Sequence, residues 1–233
     1  MGKEVNYLLK KVIEIMNKEE KGKVLDIGCG NGDYSFRLKN LGFEVVALDI
    51  DEERFKYKDE IEFCKCDITK GLPFSDNYFD YVIFLEVIEH LRNPYFVVGE
   101  ISRILKPKGI LILSTPNILN LKSRLRFLFE GSWEFFREPL VEHVKLYKGN
   151  TKNLHLIAWR YHELEYMLYE NRLITEKIYT DIINPKAKIL MFFSPLSSSK
   201  YILKKGGLWK RVILIIPAFI ELFFLKNCYL VNT

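Results

Sequence analysis

The chain has 233 residues, 48% hydrophobic and 28% charged, which suits one well-buried core and argues against disorder. Its 35 basic and 30 acidic residues leave a net charge of +5, a mixed solvated surface rather than a nucleic-acid footprint. Of the four cysteines, Cys29, Cys64, Cys66 and Cys228, none forms a CxxC pair, and a zinc site would need further ligands, so they read as core or strand cysteines and no metal centre is expected. With neither a disulfide framework nor a secretory signal, the expected compartment is a reducing cytoplasm.

Residues 1–21 open the chain with an apolar stripe at helical spacing, Val5, Leu8, Leu9, Val12, Ile13 and Met16, predicting a lid or packing helix. Lys23 to Gly28 is a short apolar run ending in glycine, the pattern of a buried parallel strand. Asp33 to Leu41 carries helical spacing stopped by Gly42, and Phe43 to Asp49 predicts a second strand. Further strands are expected at Ile61–Lys65, Phe79–Leu85 and Gly109–Ser114, with a helix from Pro94 to Leu105. Strands alternating with helices predict βαβ units and a mostly parallel sheet covered by helices on both faces, with ligands at the carboxyl ends of the strands.

The residues with chemical character fall at those carboxyl ends. Gly28-Cys29-Gly30-Asn31-Gly32 follows the first strand and opens a helix. Glycines there permit a sharp turn and let a ligand lie against bare backbone. The G-x-G-x-G spacing is one residue tighter than the dinucleotide fingerprint. Asp49 ends the second strand, where an acid can accept both hydrogen bonds of a ribose diol.

Five segments together resemble the class I S-adenosylmethionine-dependent methyltransferases over about residues 22–114. They are Val24–Gly32, Asp49, Cys66-Asp67-Ile68, Leu72-Pro73-Phe74 with Phe79-Asp80, and Leu85-Glu86-Val87-Ile88-Glu89-His90-Leu91, which is similar to a Glu-Val-x-Glu-His signature of small-molecule-type members. The resemblance implies a Rossmann-like, mostly parallel seven-stranded sheet with an antiparallel last strand. It also implies S-adenosyl-L-methionine as cofactor and S-adenosyl-L-homocysteine as product. By the same resemblance Asp26 and the Gly28, Cys29 and Gly30 backbone hold the methionine end and Asp49 the ribose. Asp67 and Ile68 read the adenine, Ile50 packs on it, and Leu85 and Glu86 line the methionyl side. A sulfonium cation without phosphate suits carboxylates better than an anion nest. The Asn/Asp-Pro-Pro-aromatic run of enzymes that methylate DNA bases is missing after the fourth strand, so no DNA partner is expected.

Methyl transfer needs an aligned acceptor and, where the acceptor carries one, a base for its proton. His90 is the first candidate base, its other reading being a structural cap. His143, in Glu142-His-Val-Lys-Leu-Tyr147, is the second, although residues 148–160 are extra relative to the family pattern. His155 and His162 read as ordinary polar positions on helices. Residues 116–160 are expected to form a substrate-side insertion, with Arg124, Arg126 and Arg137 available to an anionic acceptor group.

Residues 161–233 are expected to complete the same domain. A helix at Tyr161–Asn171 precedes a sixth strand at Leu173–Thr180, a hydrophobic insertion at 185–225, and a last strand at Asn227–Asn232. Pro217 and Glu221 break the run between Arg211 and Lys226, which falls short of the ~20 residues that span a bilayer. A buried crossover and peripheral membrane contact through 187–225 both remain open. The acceptor is expected to be a small molecule methylated on oxygen or carbon, lipid-linked or sugar-type. A cofactor-binding module without catalysis and a nicotinamide-dependent oxidoreductase are the competing readings.

Overall fold

A computed structural model describes residues 2–118, 121–134, 136, 155–180 and 210–216. Seven strands form one sheet: β1 (Lys23–Ile27), β2 (Glu44–Asp49), β3 (Glu62–Lys65), β4 (Phe79–Leu85), β5 (Leu105–Ser114), β6 (Leu173–Thr180) and β7 (Lys210–Ile216). The spatial order is β3-β2-β1-β4-β5-β7-β6, and every neighbouring pair is parallel. Strand order reverses at β1, which lies between β2 and β4, so the crevice at the carboxyl ends of these three strands is where such a sheet takes its ligands.

Among the described residues the α-helices are α1 (Gly2–Met16), α2 (Asp33–Asn40), α3 (Pro94–Ile104), α4 (Leu121–Glu130) and α5 (Tyr161–Glu170). Alternation along each strand divides the core in two. Leu25, Ile27, Val82, Phe84, Val212 and Leu214 face α3 and α5, meeting Val97, Ile101, Leu164 and Met167. Val24, Ala47, Tyr81, Ile83, Ile112 and Ile213 face the other way, meeting Leu8, Val12 and Met16 of α1 and Leu38 of α2. Because both sheet faces are covered, the strands read as continuous apolar runs. Val12 and Met16 are fully buried, worth roughly 1.5–3 kcal/mol each, so α1 is a packing helix.

Asn93 caps α3, its Oδ1 accepting from the Phe96 amide at 3.3 Å, and Pro94 fills the first turn. The helix gives way to β5 without a connector, so β5 begins at Leu105 rather than at Gly109. Arg103 anchors the chain that leads into β4. Its guanidinium donates to the Leu72 and Phe74 carbonyls, to Asp76 and to both carboxylate oxygens of Glu100.

The far edge of the sheet differs from expectation. The seventh strand is 210–216, inside the stretch read as a hydrophobic insertion, and it runs parallel to both neighbours rather than antiparallel. Val212, Ile213 and Leu214 are buried in the sheet core, which excludes lipid contact for these side chains. Two adjacent parallel strands require a crossover rather than a hairpin. Residues 181–209 and 217–233, including Asn227–Asn232, lie outside the described residues. No described helix is long and apolar enough to cross a membrane.

Candidate cofactor and acceptor site

The turn after β1 is built against the turn after β4. Gly28 has φ 74°, and a Cβ there would sit 2.5 Å from Val87 Cγ2, so the position accepts no side chain. Gly30, φ 55°, differs: among the described residues a Cβ would meet nothing within 4 Å. Its backbone faces open space beside Asp49. The Gly30 amide donates to Asp49 Oδ2 at 2.9 Å and the Asp51 amide to Oδ1 at 2.9 Å. A carboxylate offers about four lone-pair sites, so Asp49 keeps acceptor capacity for two further hydroxyls. Ile50, next along, is 50% exposed at this end of the sheet.

Asp26 lies under the glycine turn, almost wholly buried. Its Oδ2 accepts from the Ser35 hydroxyl at 2.5 Å. Burial pushes its carboxyl up to about 6, with the Ser35 bond pulling the other way and the Asp49 charge adding to the rise. Cys29 is buried beside it, and burial raises its thiol too. Asp67 is half-buried after β3 and caps the turn at 68–70, accepting from the Thr69 hydroxyl at 2.6 Å and the Thr69 amide at 3.1 Å. The Thr69 hydroxyl bond holds this carboxyl below its ordinary value. Ile68 follows in that turn, half-buried. The Cys66 amide donates to the Asp49 carbonyl at 3.1 Å, tying this turn to β2.

Leu85 ends β4, half-buried, and Glu86 follows with φ 53°, an uncommon left-handed conformation for a side chain of its kind. The buried Ser114, at the end of β5, holds it there. The Glu86 amide donates to the Ser114 carbonyl and hydroxyl oxygens at 3.2 and 3.1 Å, while the Ser114 hydroxyl donates to Glu86 Oε1 at 2.7 Å. Glu89, three residues on, is completely buried, and burial together with the Glu86 charge pushes its carboxyl up to about 8.

His90 follows it, partly exposed, with its Nε2 3.9 Å from Glu89 Oε1. The His155 ring packs on His90 edge-on, centroids 4.7 Å apart, and Phe136 lies 5.3 Å from His155. His155 is therefore not a polar position on a helix. It sits in an irregular segment fixed to the β4 turn, where the Leu156 and Ile157 amides donate to the Glu89 carbonyl at 2.7 and 3.1 Å. His162 lies on α5 as expected. His143 and Arg137 are outside the described residues. Arg126 is engaged internally, by Glu130, by Glu134 at 3.7 Å and by Ser132 at 3.2 Å, leaving it poorly suited to an acceptor anion.

Sequence reasoning thus located Gly28, Gly30, Asp49, Ile50, Asp67 and Glu86 at one end of the sheet. It gave no duty to Glu89, Ser114, Thr115 or His155. Glu89 stood inside the quoted signature, but nothing in one dimension marks it as a buried acid. A second hollow, about 570 Å³, opens at the opposite end of the sheet between Lys21, Lys23, Tyr78, Asp80 and Lys106. Its lysines are already engaged by Glu44, Asp80 and the Phe43 ring, and we assign it no chemistry.

Comparison with known proteins agrees with this geometry. Residues 25–113 match the family described as "Methyltransferase domain". A ubiquinone biosynthesis O-methyltransferase of Rickettsia bellii is 35% identical over 122 residues, covering 48% of this chain and 50% of that protein. An uncharacterized protein of Methanocaldococcus jannaschii is 37% identical over 140 residues, covering 59% and 56%. The chain spans about half the length of the curated relatives it matches. Among solved structures, a SAM dependent methyltransferase from Archaeoglobus fulgidus superposes with a TM-score of 0.53 at 22% identity, covering 72% of this chain and 66% of that one, a likeness of fold. Over residues 25–113 the chain thus resembles methyltransferase domains in both sequence and fold.

Proposed function

We propose that this protein transfers the methyl group of S-adenosylmethionine to an oxygen of a small-molecule acceptor. One observation carries the reading: the uncovered Gly30 backbone lies beside an Asp49 carboxylate that two amides orient without exhausting it. Such a cradle fits a ribose diol. The exposed Ile50 alongside offers an apolar face to adenine. The cofactor brings the sulfonium methyl and its leaving group. The protein's part is to orient the donor, exclude water and receive the acceptor's proton.

The buried Asp26 carboxylate beneath the turn and Glu86 beyond it place negative potential where a sulfonium and an ammonium would lie. In the metal-free protein His90 is the side chain positioned to take a hydroxyl proton, being partly exposed at the mouth of the β4 turn. Choice of oxygen follows the O-methyltransferase relatives. An apolar-tailed acceptor is favoured by α4, whose Leu128 and Phe129 are 73% and 81% exposed.

Calorimetry with S-adenosylhomocysteine and with a nicotinamide dinucleotide tests the cofactor, with binding of the first alone expected. Turnover of methyl-labelled donor against soluble and lipid fractions of a cell extract tests the acceptor. Label found only in protein or RNA overturns the acceptor class.

A further inference from the structure

Glu89, His90 and His155 meet beside the crevice in an arrangement that the cofactor does not explain. Their three potential ligand atoms, one from each residue, lie within 4.8 Å of one another. Glu89 is fully buried; its Oε2 accepts from the Thr115 hydroxyl at 3.3 Å, whereas its Oε1 accepts no hydrogen bond among the described residues. A buried oxygen left so is costly, because it has given up its water without gaining a donor. It faces His90 Nε2 at 3.9 Å, too long for a hydrogen bond. Two ligands of one tetrahedral ion with bonds of about 2.0–2.1 Å stand roughly 3.3 Å apart, so the Glu89–His90 pair needs to close by about 0.6 Å and no pair by more than about 1.5 Å.

We propose that Glu89, His90 and His155 form a site for a single divalent transition-metal ion of the zinc class. Two imidazoles and one carboxylate suit zinc, cobalt or ferrous iron better than magnesium or calcium, which prefer all-oxygen shells. The ligands come from separate segments that the backbone already holds together, since the Glu89 carbonyl accepts the Leu156 and Ile157 amides next to His155. Thr115 supplies the outer hydrogen bond that fixes the carboxylate.

Three protein ligands leave a position for water or an acceptor oxygen, and a hydroxyl held there loses its proton more readily. In the loaded protein His90 is a ligand and no longer the base. The site itself rests on its own donor set and stands apart from the cofactor assignment.

The test uses the full chain, freed of metal with a chelator, titrated with zinc by calorimetry and with cobalt by visible absorption. One ion per chain is expected, with cobalt bands characteristic of nitrogen and oxygen ligation and a rise in melting temperature. Glu89→Gln and His155→Ala are expected to weaken binding at least ~10-fold, and His155→Cys to restore zinc affinity. Affinity of His155→Ala for S-adenosylhomocysteine, unchanged from the parent, verifies that the variant is folded and separates this site from the cofactor site. Binding of less than one ion per chain, or variants that bind zinc as tightly as the parent, would overturn the proposal.

Discussion

Gly30 and Asp49 are joined by a 2.9 Å hydrogen bond from backbone amide to carboxylate, linking the turn after β1 to the end of β2. The bond fixes the orientation of an acid whose other lone pairs point away from it. Asp49→Ala is expected to cost two amide bonds to a charged acceptor and the ribose contacts together. At about 1.5–3 kcal/mol for a hydrogen bond to a charged group, S-adenosylhomocysteine affinity falls by at least ~10-fold in calorimetry. Unchanged affinity would remove Asp49 from the site.

The two neighbouring glycines separate stability from binding. Gly28→Ala places a Cβ 2.5 Å from Val87 Cγ2 and adds about 1–2 kcal/mol of left-handed backbone cost, so its urea midpoint drops well below the parent's. Gly30→Ala has room for the methyl and bears only the backbone cost. It remains folded with a smaller drop in midpoint, yet loses cofactor affinity because the methyl occupies the cradle. Equal destabilisation of both variants would contradict this division.

Asp26 makes stability depend on pH. Its carboxyl titrates at about 6 in the folded chain because it is buried, against about 3.9 when unfolded. Folding therefore favours the protonated form. The stabilisation is complete below about pH 4 and is lost as pH rises through about 6. A separation of about two pH units corresponds to about 3 kcal/mol. Asp26→Asn keeps an acceptor for the Ser35 hydroxyl and removes the titration. Denaturant midpoints measured between about pH 4 and 7 are expected to fall for the parent relative to the variant. Parallel profiles would show the buried charge to be compensated.

Turnover of the chelator-treated, metal-free protein isolates His90. His90→Ala is expected to lower kcat by about 10²-fold or more, the usual range for a positioned acid–base group, while S-adenosylhomocysteine binds as before. A rise in KM alone, with kcat unchanged, would leave His90 an acceptor contact rather than a proton acceptor.

Much of the fold is legible along the chain. Val24 to Ile27 and Tyr81 to Phe84 read as strands because a parallel strand covered on both faces needs apolar residues on both. Gly28, Gly30 and Asp49 read as a cofactor turn because that geometry tolerates few residue types. Neither the position nor the direction of β7 was legible: the last strand was expected at Asn227–Asn232, and 210–216 read as part of an insertion. Lys210 to Ile216 offers the same apolar pattern to a parallel or an antiparallel partner, and only its pairing with β5 and β6 in space decides between them.

Local chemistry, written in residue types and spacing, is what the sequence by itself determined: the alternating elements, the bare turn, and the acids at the carboxyl ends of β2, β3 and β4. Tertiary structure alone decided what depends on distant segments meeting. It buried Asp26 and Glu89, brought His155 onto His90 through amide bonds to the Glu89 carbonyl, and set β7 between β5 and β6. The physical reason is that burial and donor geometry belong to the space around a residue, which chain neighbours only partly fill.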